Sequence, residues 1–153
     1  MRLQHDVLVD TADRALVTRG CALRVRDDGG AAVLTYKGPV VPGVLKVREE
    51  LETAAGSAER LLAILAALGY RPIFRYEKRR EEHAIAGALI AIDETPVGTF
   101  LEIEGEADAI HAAAAALGYS PADYVTASYR ALYVASLPDG ATPGDMLFEE
   151  SAR

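Results

Sequence analysis

The stretch Leu23–Lys37, LRVRDDGGAAVLTYK, decides the fold class of this 153-residue chain. In its first part Arg24 and Arg26 alternate with apolar residues, and after the pair Gly29-Gly30 the alternation resumes up to Lys37. Side chains two positions apart on a β-strand point to the same face of a sheet. The stretch therefore predicts two strands joined by a turn, each with one apolar face and one polar face.

The same rule sorts the charged residues along the rest of the chain. It places seven cations and five anions on the polar faces of predicted strands: Arg24, Arg26, Lys37, Lys46, Arg48, Lys78 and Arg80, and Glu50, Glu52, Asp93, Glu102 and Glu104. One interpretation is the solvated side of an ordinary antiparallel sheet. The other is the lining of a barrel, which must hold water or a ligand because each buried ion costs several kcal/mol.

Two longer segments have the pattern of amphipathic helices. They run from about Ser57 to Leu68 and from about Ala107 to Leu117, and each is followed by a glycine that suits a helix end. A shorter helix is predicted over 12–19. Strands mixed with these helices predict the α+β class.

The domain organisation follows from the positions of proline and glycine near the C-terminus. Proline and glycine interrupt every pattern after Leu137, so residues 1–136 are predicted to form one domain and residues 137–153 an acidic, mobile tail.

Composition excludes several classes of function. The chain has 16 Lys and Arg against 23 Asp and Glu, and a net charge of −7 argues against a general affinity for nucleic acid. Cys21 is the single cysteine, which excludes an intrachain disulfide. Neither a membrane-spanning run nor a signal peptide is recognisable. We therefore expect a cytoplasmic protein with neither nucleic acid nor membrane as its partner.

The two signs of charge suit phosphate chemistry. Arg and Lys hold polyanions, and carboxylates hold the Mg²⁺ or Mn²⁺ that bridges phosphate oxygens. Glu102 and Glu104 lie two apart on one strand face, about 7 Å from each other along the backbone, so one hard cation can span them. The sequence thus predicts a polyphosphate site with a divalent cation.

The order of the charged motifs is more specific than any one of them. They are, from the N-terminus, Leu23–Arg26, Leu34–Pro39, Arg48-x-Glu50-x-Glu52, Tyr76–Arg80, Ile92–Glu104 and Ser128–Arg130. This series resembles the CYTH family, the class IV adenylate cyclase and thiamine triphosphatase group of the triphosphate tunnel metalloenzymes. The resemblance covers about Gln4 to Tyr133.

The resemblance implies an eight-stranded antiparallel β-barrel, the triphosphate tunnel, with helices packed outside. It implies a triphosphate held inside together with Mg²⁺ or Mn²⁺. The implied phosphate ligands are Arg24, Arg26, Lys37, Arg48, Lys78 and Arg80. The implied metal ligands are Asp93, Glu102 and Glu104, with supporting roles for Lys46, Glu50, Glu52 and Arg130. No catalytic residue is assigned.

One motif of the family has no counterpart. The family begins with a strand that carries Glu-x-Glu-x-Lys, whereas Met1-Arg2-Leu3 leads directly into Gln4–Thr11, which resembles the family's next strand. Either the start of the chain is lost or this is a natural short form. We expect a barrel without its first strand, with two exposed edges that a homodimer would cover.

Three functions compete at this stage. The leading hypothesis is a metal-dependent hydrolase of a small triphosphate, either inorganic triphosphate, thiamine triphosphate or a nucleoside triphosphate. The absent first motif favours instead a non-catalytic module that binds phosphate or nucleotides. A class IV adenylate cyclase is the further alternative, although no motif that reads adenine is visible.

Overall fold

The fold is one antiparallel sheet with helices. The computed structural model describes residues 1–29, 31–85 and 87–149. Its strands are β1 (Arg2–Thr11), β2 (Ala22–Asp27), β3 (Ala32–Lys37), β4 (Glu50–Ala55), β5 (Tyr70–Ile85), β6 (Ala88–Thr95) and β7 (Gly98–Gly105).

The strands follow the order β4-β3-β2-β1-β5-β6-β7, and the sheet curls into a half-barrel. Within the described residues β4 and β7 are its edges, because no pairing joins them. The predicted α+β class and barrel-like antiparallel sheet with helices outside are confirmed, with seven strands in the described part of the chain. Homodimerisation through these edges stays a prediction. Of the predicted Gly29-Gly30 turn, Gly30 lies outside the described residues.

The helices are α1 (Ala15–Thr18), α2 (Ala58–Ala67), α3 (Ala107–Ala116) and α4 (Tyr129–Ser136), with a 3₁₀ turn at Pro121–Asp123. The Ser57 hydroxyl caps α2 by accepting the Arg60 N–H at 3.2 Å. Helices α2 and α3 lie where the sequence predicts them, and α1 is shorter than predicted. Helix α4 is not predicted by the pattern, and it begins after Ser128, whose hydroxyl accepts the Ala131 N–H. None of these helices is long and apolar enough to span a membrane, among the residues described.

Two helices cover the convex face of the sheet. Leu65 of α2 packs in one cluster with Val9 and Val25, and Ala113 of α3 packs with Ala88 and Ile90. The apolar positions of the strands are therefore used by the helices, which leaves the charged positions on the other side.

Strand register defines that other side. Cross-strand partners share a face, and the pairs Arg24 with Thr35, Lys37 with Glu50, and Arg80 with Asp93 are all direct partners. We call the face that carries these residues the concave face. The predicted charged face is thus continuous from strand to strand, but it also carries an apolar part, because Leu8 pairs with Arg24 and with Phe74.

One predicted strand is shorter than the alternation indicates. Lys46 and Arg48 were expected on the strand of Glu50, but β4 begins only at Glu50. The chain between β3 and β4 folds back on itself, with a bridge between Val41 and Val47. Lys46 and Arg48 therefore belong to a loop rather than to the sheet.

Residues 145–148 lie against β5 rather than free in solvent. The Met146 N–H donates to the Arg75 carbonyl at 2.9 Å, and the Glu77 N–H donates to the Met146 carbonyl at 3.0 Å. The Met146 side chain is 1% exposed and packs against Phe74 and Tyr76. A mobile tail does not describe these four residues, because they complete an apolar cluster. Residues 150–153 of the predicted tail lie outside the described residues.

Candidate functional site

Asp6 is the centre of one ion cluster on the concave face. Its carboxylate is fully buried and accepts two hydrogen bonds from Arg26, from Nε at 2.9 Å and from Nη2 at 3.0 Å. Arg24 Nε lies 3.4 Å from Asp6 Oδ1. One carboxylate of β1 therefore holds both cations of β2.

Arg24 has a donor without an acceptor. Its Nη2 donates to Thr35 Oγ1 at 3.0 Å, and the Thr35 hydroxyl donates to Glu52 Oε2 at 2.8 Å. Its Nε is buried, and despite the nearby Asp6 oxygen it makes no hydrogen bond to any described residue. Arg24 is therefore held by an ion pair to Asp6 and by a hydrogen bond to Thr35.

Arg80 is the centre of a second cluster. Its Nε donates to Asp93 Oδ1 at 2.7 Å and its Nη2 to Asp93 Oδ2 at 2.6 Å. The same guanidinium donates to Glu102, and to Glu104 at 3.4 Å. Lys78 Nζ donates to Asp93 Oδ2 at 2.7 Å. Two buried cations of β5 thus meet carboxylates of β6 and β7.

Tyr129 joins this second cluster from α4. Its hydroxyl donates to Asp93 Oδ2 at 2.6 Å, and Lys78 Nζ lies 5.2 Å from its ring centre. The ring of Phe100 meets that of Tyr129 edge-on at 5.4 Å. The motif Ser128–Arg130 was noted in the sequence, but nothing in it indicated that the tyrosine reaches the charged face.

The electrostatics of the second cluster favour the ionised form of Asp93. Burial alone would raise the pKa of Asp93, but hydrogen bonds from Arg80 and the charge of Lys78 outweigh it and lower the pKa to about 2. Burial lowers the pKa of Lys78, and the charge of Glu102 opposes that shift. Burial, together with the charge of Glu102, raises the pKa of Tyr129, which keeps its hydroxyl a donor.

The three predicted metal ligands do not fit a divalent cation as they are placed. Both oxygens of Asp93 already accept from Arg80, and one accepts from Lys78 and Tyr129 as well. Glu102 and Glu104 also turn towards Arg80. Among the residues described, no group of three or more His, Cys, Asp or Glu side chains has an arrangement that holds a metal ion.

Some predicted site residues lie apart from both clusters. Arg48 donates from Nε to the Gly38 carbonyl at 2.7 Å and from Nη2 to the Lys37 and Gly20 carbonyls at 3.1 and 3.3 Å. Arg130 is exposed, with its guanidinium 5.9 Å from the ring centre of Phe74.

Lys37 and Lys46 lie near the β4 edge. Lys37 Nζ donates to Glu50 Oε1 at 2.6 Å. Burial and the charges of Arg48 and Lys37 lower the pKa of Lys46, while Glu102 and Glu50 oppose the shift. Lys46 is therefore attracted electrostatically by Glu50 of one edge strand and by Glu102 of the other.

Replacing Arg48 by Ala tests whether it supports the loop or binds the ligand. We expect the free energy of unfolding to fall by about 1–3 kcal/mol, because three carbonyls lose a charged donor. The affinity for inorganic triphosphate is expected to change by less than about threefold. Urea unfolding and calorimetry check the two values, and a tenfold loss of affinity at unchanged stability would reassign Arg48 to the ligand.

Asp6 is a site residue that the sequence reasoning missed. Gln4 and Asp6 lie two apart on β1, and both are buried on the concave face, where Gln4 pairs with Lys78 and Asp6 with Arg26. The alternation rule that sorted the other strands also applies to this pair. The spacing of Gln4 and Asp6 therefore indicates a shared face, although the resemblance of β1 to a family strand assigns no role to Asp6.

Comparison with known proteins bears on the family and on the fold. The family model described as CYTH domain matches residues 2–129. A protein of Methanocaldococcus jannaschii, named as a candidate adenylate cyclase, is 33% identical over 104 residues, which cover 67% of this chain and 59% of that protein. The chain thus spans less than two thirds of the length of this curated relative.

Two solved structures share the fold at lower identity. A candidate adenylate cyclase of Vibrio parahaemolyticus superposes with a TM-score of 0.73 at 22% identity, covering 86% of this chain and 79% of that one. A candidate adenylyl cyclase of Hippeastrum, for which a dominant triphosphatase activity is stated, superposes with a TM-score of 0.63 at 18% identity. This superposition covers 88% of this chain and 82% of the Hippeastrum chain. At such identities the likeness shows the fold alone.

Proposed function

The chain belongs to the CYTH domain family, and from that premise we propose that it binds a small triphosphate on its concave face and hydrolyses it. The observation that supports this most directly is that five cations lie on one face of the curled sheet. The proposed phosphate ligands are Arg24, Arg26, Lys37, Lys78 and Arg80.

In the proposed reaction these cations neutralise the phosphoryl oxygens. Neutralisation lowers the repulsion that an attacking water meets at phosphorus and stabilises the charge of the transition state. Water attacks the terminal phosphorus and the bond from that phosphorus to the bridging oxygen breaks. The shortened phosphate chain stays bound to the cations of β2 and β5, and orthophosphate and a proton are released to solvent. The sequence resemblance implies Mg²⁺ or Mn²⁺ as the cofactor, whereas Asp93, Glu102 and Glu104 as placed do not fit a divalent cation, so the assay below is run with and without each metal.

A second candidate is a module that binds the triphosphate without turnover. The specific observation in its favour is that the donors of Arg80, Lys78 and Tyr129 occupy both oxygens of Asp93. A cyclase reaction is a third outcome, suggested by the names of the relatives.

One assay separates these candidates. The protein is incubated with inorganic triphosphate, thiamine triphosphate or ATP, each with and without Mg²⁺ or Mn²⁺, and orthophosphate and cyclic AMP are measured. Release of orthophosphate supports the hydrolase, and cyclic AMP identifies the cyclase. Binding without either product leaves the binding module, and the absence of binding contradicts all three.

Replacing Arg24 by Ala tests the assigned site. We expect the dissociation constant for inorganic triphosphate to rise by about tenfold or more, because charge-assisted contacts with the phosphates are lost. Calorimetry measures the affinity. Arg60→Ala is the matched control, since Arg60 is exposed on α2, which packs on the convex face. Equal affinities of the two variants would remove Arg24 from the site.

A further inference from the structure

A cavity of about 120 Å³ lies where the end of β1, the start of β2 and helix α1 meet. Its wall is mainly apolar and includes the side chains of Leu8, Leu16, Val17, Leu23 and Ile73. None of the residues described for the two ion clusters lines it. An apolar cavity of about 150 Å³ can take up a molecule of the size of benzene, so this one has room for a group of about four carbons.

Two arginines line the same cavity, one at the start of each of two helices. Arg14 directly precedes α1, and Arg130 belongs to the first turn of α4. Both side chains are exposed. Neither guanidinium makes a hydrogen bond or an ion pair with any residue in the described ranges, and that of Arg130 lies 5.9 Å from the ring centre of Phe74. Two cations at the cavity can therefore receive an anionic ligand.

Asp10 also lines the cavity, but its carboxylate already has partners. It is fully buried and accepts from the N–H groups of Leu16 and Val17, both at 2.9 Å. Burial alone would raise the pKa of Asp10, but these backbone hydrogen bonds outweigh it and lower the pKa, so the group is ionised at neutral pH. Two arginines and one aspartate thus give the lining a net positive charge of one, which a ligand with a single negative charge balances.

We propose that this cavity is a binding site for a small monocarboxylate with a short branched aliphatic tail. The carboxylate pairs with Arg14 and Arg130, because a planar guanidinium matches a carboxylate in two parallel hydrogen bonds. The tail fills the apolar part of the cavity. A polyphosphate is a poor ligand here, since it has several negative charges and no apolar group. The proposal therefore does not depend on the proposed function.

The backbone of Arg14 provides a variant that separates binding from stability. Among the residues described, Arg14 is the one non-glycine residue with a positive φ, of 59°. Glycine adopts such a conformation more readily than a residue with a side chain. Arg14→Gly is therefore expected to keep or raise the free energy of unfolding while it removes one cation from the cavity. Urea unfolding measures the first effect, and the titrations below measure the second.

The decisive experiment follows the methyl NMR signals of the parent protein during titrations with 3-methylbutanoate, acetate and 3-methylbutan-1-ol. Acetate carries the charge without the tail, and the alcohol carries the tail without the charge. We expect 3-methylbutanoate to bind with a dissociation constant of about 1–10 mM, at least about fivefold more tightly than either control compound. The methyl signals of Leu16 and Ile73 should shift, whereas those of Ile64, which is exposed on α2, should stay constant.

The same titrations are made with three variants. Arg14→Gly and Arg130→Gln are each expected to weaken binding of 3-methylbutanoate by about fivefold or more, because a charge-assisted contact is lost. Arg60→Gln is the matched control, since it removes an exposed cation of α2, and its affinity should stay within about twofold.

Three results overturn the proposal. They are constant signals of Leu16 and Ile73 up to about 50 mM 3-methylbutanoate, unchanged affinity in both Arg14→Gly and Arg130→Gln, and equal affinity for either control compound. Equal binding of the alcohol would indicate an apolar cavity without an anion site. Because no triphosphate is added, these results are independent of the assay that tests the proposed function.

Discussion

Replacing Asp93 by Asn is expected to lower the free energy of unfolding by about 3–5 kcal/mol, because it removes the fully buried carboxylate that pairs with both Arg80 and Lys78. Asp93 is fully buried and accepts from both of them. Urea unfolding at neutral pH measures the change. Glu94→Gln is the control, since its half-exposed carboxylate lies 3.5 Å from Arg79, and it should cost less than about 1 kcal/mol.

The same variant has a defined pH dependence. The pKa of Asp93 in the folded protein is about 2, below its ordinary value of 3.8. Its contribution to stability is therefore fully present above pH 3.8 and is lost as the pH falls towards about 2. The difference in stability between the parent and Asp93→Asn should shrink at about pH 2.5 compared with neutral pH. A difference that is small at neutral pH, or constant with pH, would contradict the buried ion cluster.

Replacing Met146 by Ala is expected to cost about 2–5 kcal/mol of stability, the usual range for truncating a buried methionine. Met146 is 1% exposed and closes the aromatic cluster of Phe74 and Tyr76. Thermal or urea unfolding measures the loss. The experiment distinguishes a segment docked on β5 from a mobile tail, because truncating a residue of a mobile tail would leave the free energy of unfolding unchanged.

Val125→Ala is the matched control for Met146→Ala, since it also removes apolar atoms but from a side chain that is 66% exposed. Its cost should stay below about 0.5 kcal/mol. If Met146→Ala costs no more than this control, residues 145–148 do not dock on β5 in solution, and the expectation of a mobile tail is restored for them.

Helix α2 shows how local sequence determines structure. Ser57 provides a side-chain acceptor for the first turn, and the residues after it form an apolar stripe that ends before Gly69. Each of these signals lies within one element, so no knowledge of its neighbours is needed. Helix α4 also begins with a serine cap, Ser128, but Pro138 rather than a glycine follows its end, and Tyr129 and Tyr133 pack on β5 residues.

In the candidate site, the sequence predicts the face on which each residue lies, but not the ion pairs that it makes. Alternation along each strand assigned Arg24, Arg80 and Glu102 to one face, because the period of two is a property of the single strand. The pairing of cations with carboxylates depends on strand order and register, and the alternation within one strand predicts neither of them. The pairing of Asp6 with Arg26 arises because β1 lies beside β2.

Sequence patterns alone predict the family, the apolar and charged faces of the strands, and the two longer helices, because these follow from periodicity and from motifs within single elements. Contacts in the folded chain are needed to show that Arg48 supports a loop, that Met146 is part of the core, and that Arg80 neutralises the carboxylates implied as metal ligands. These three outcomes depend on contacts between residues far apart in the chain. Ion pairing and burial follow from distances in space, which strand order and loop path set together.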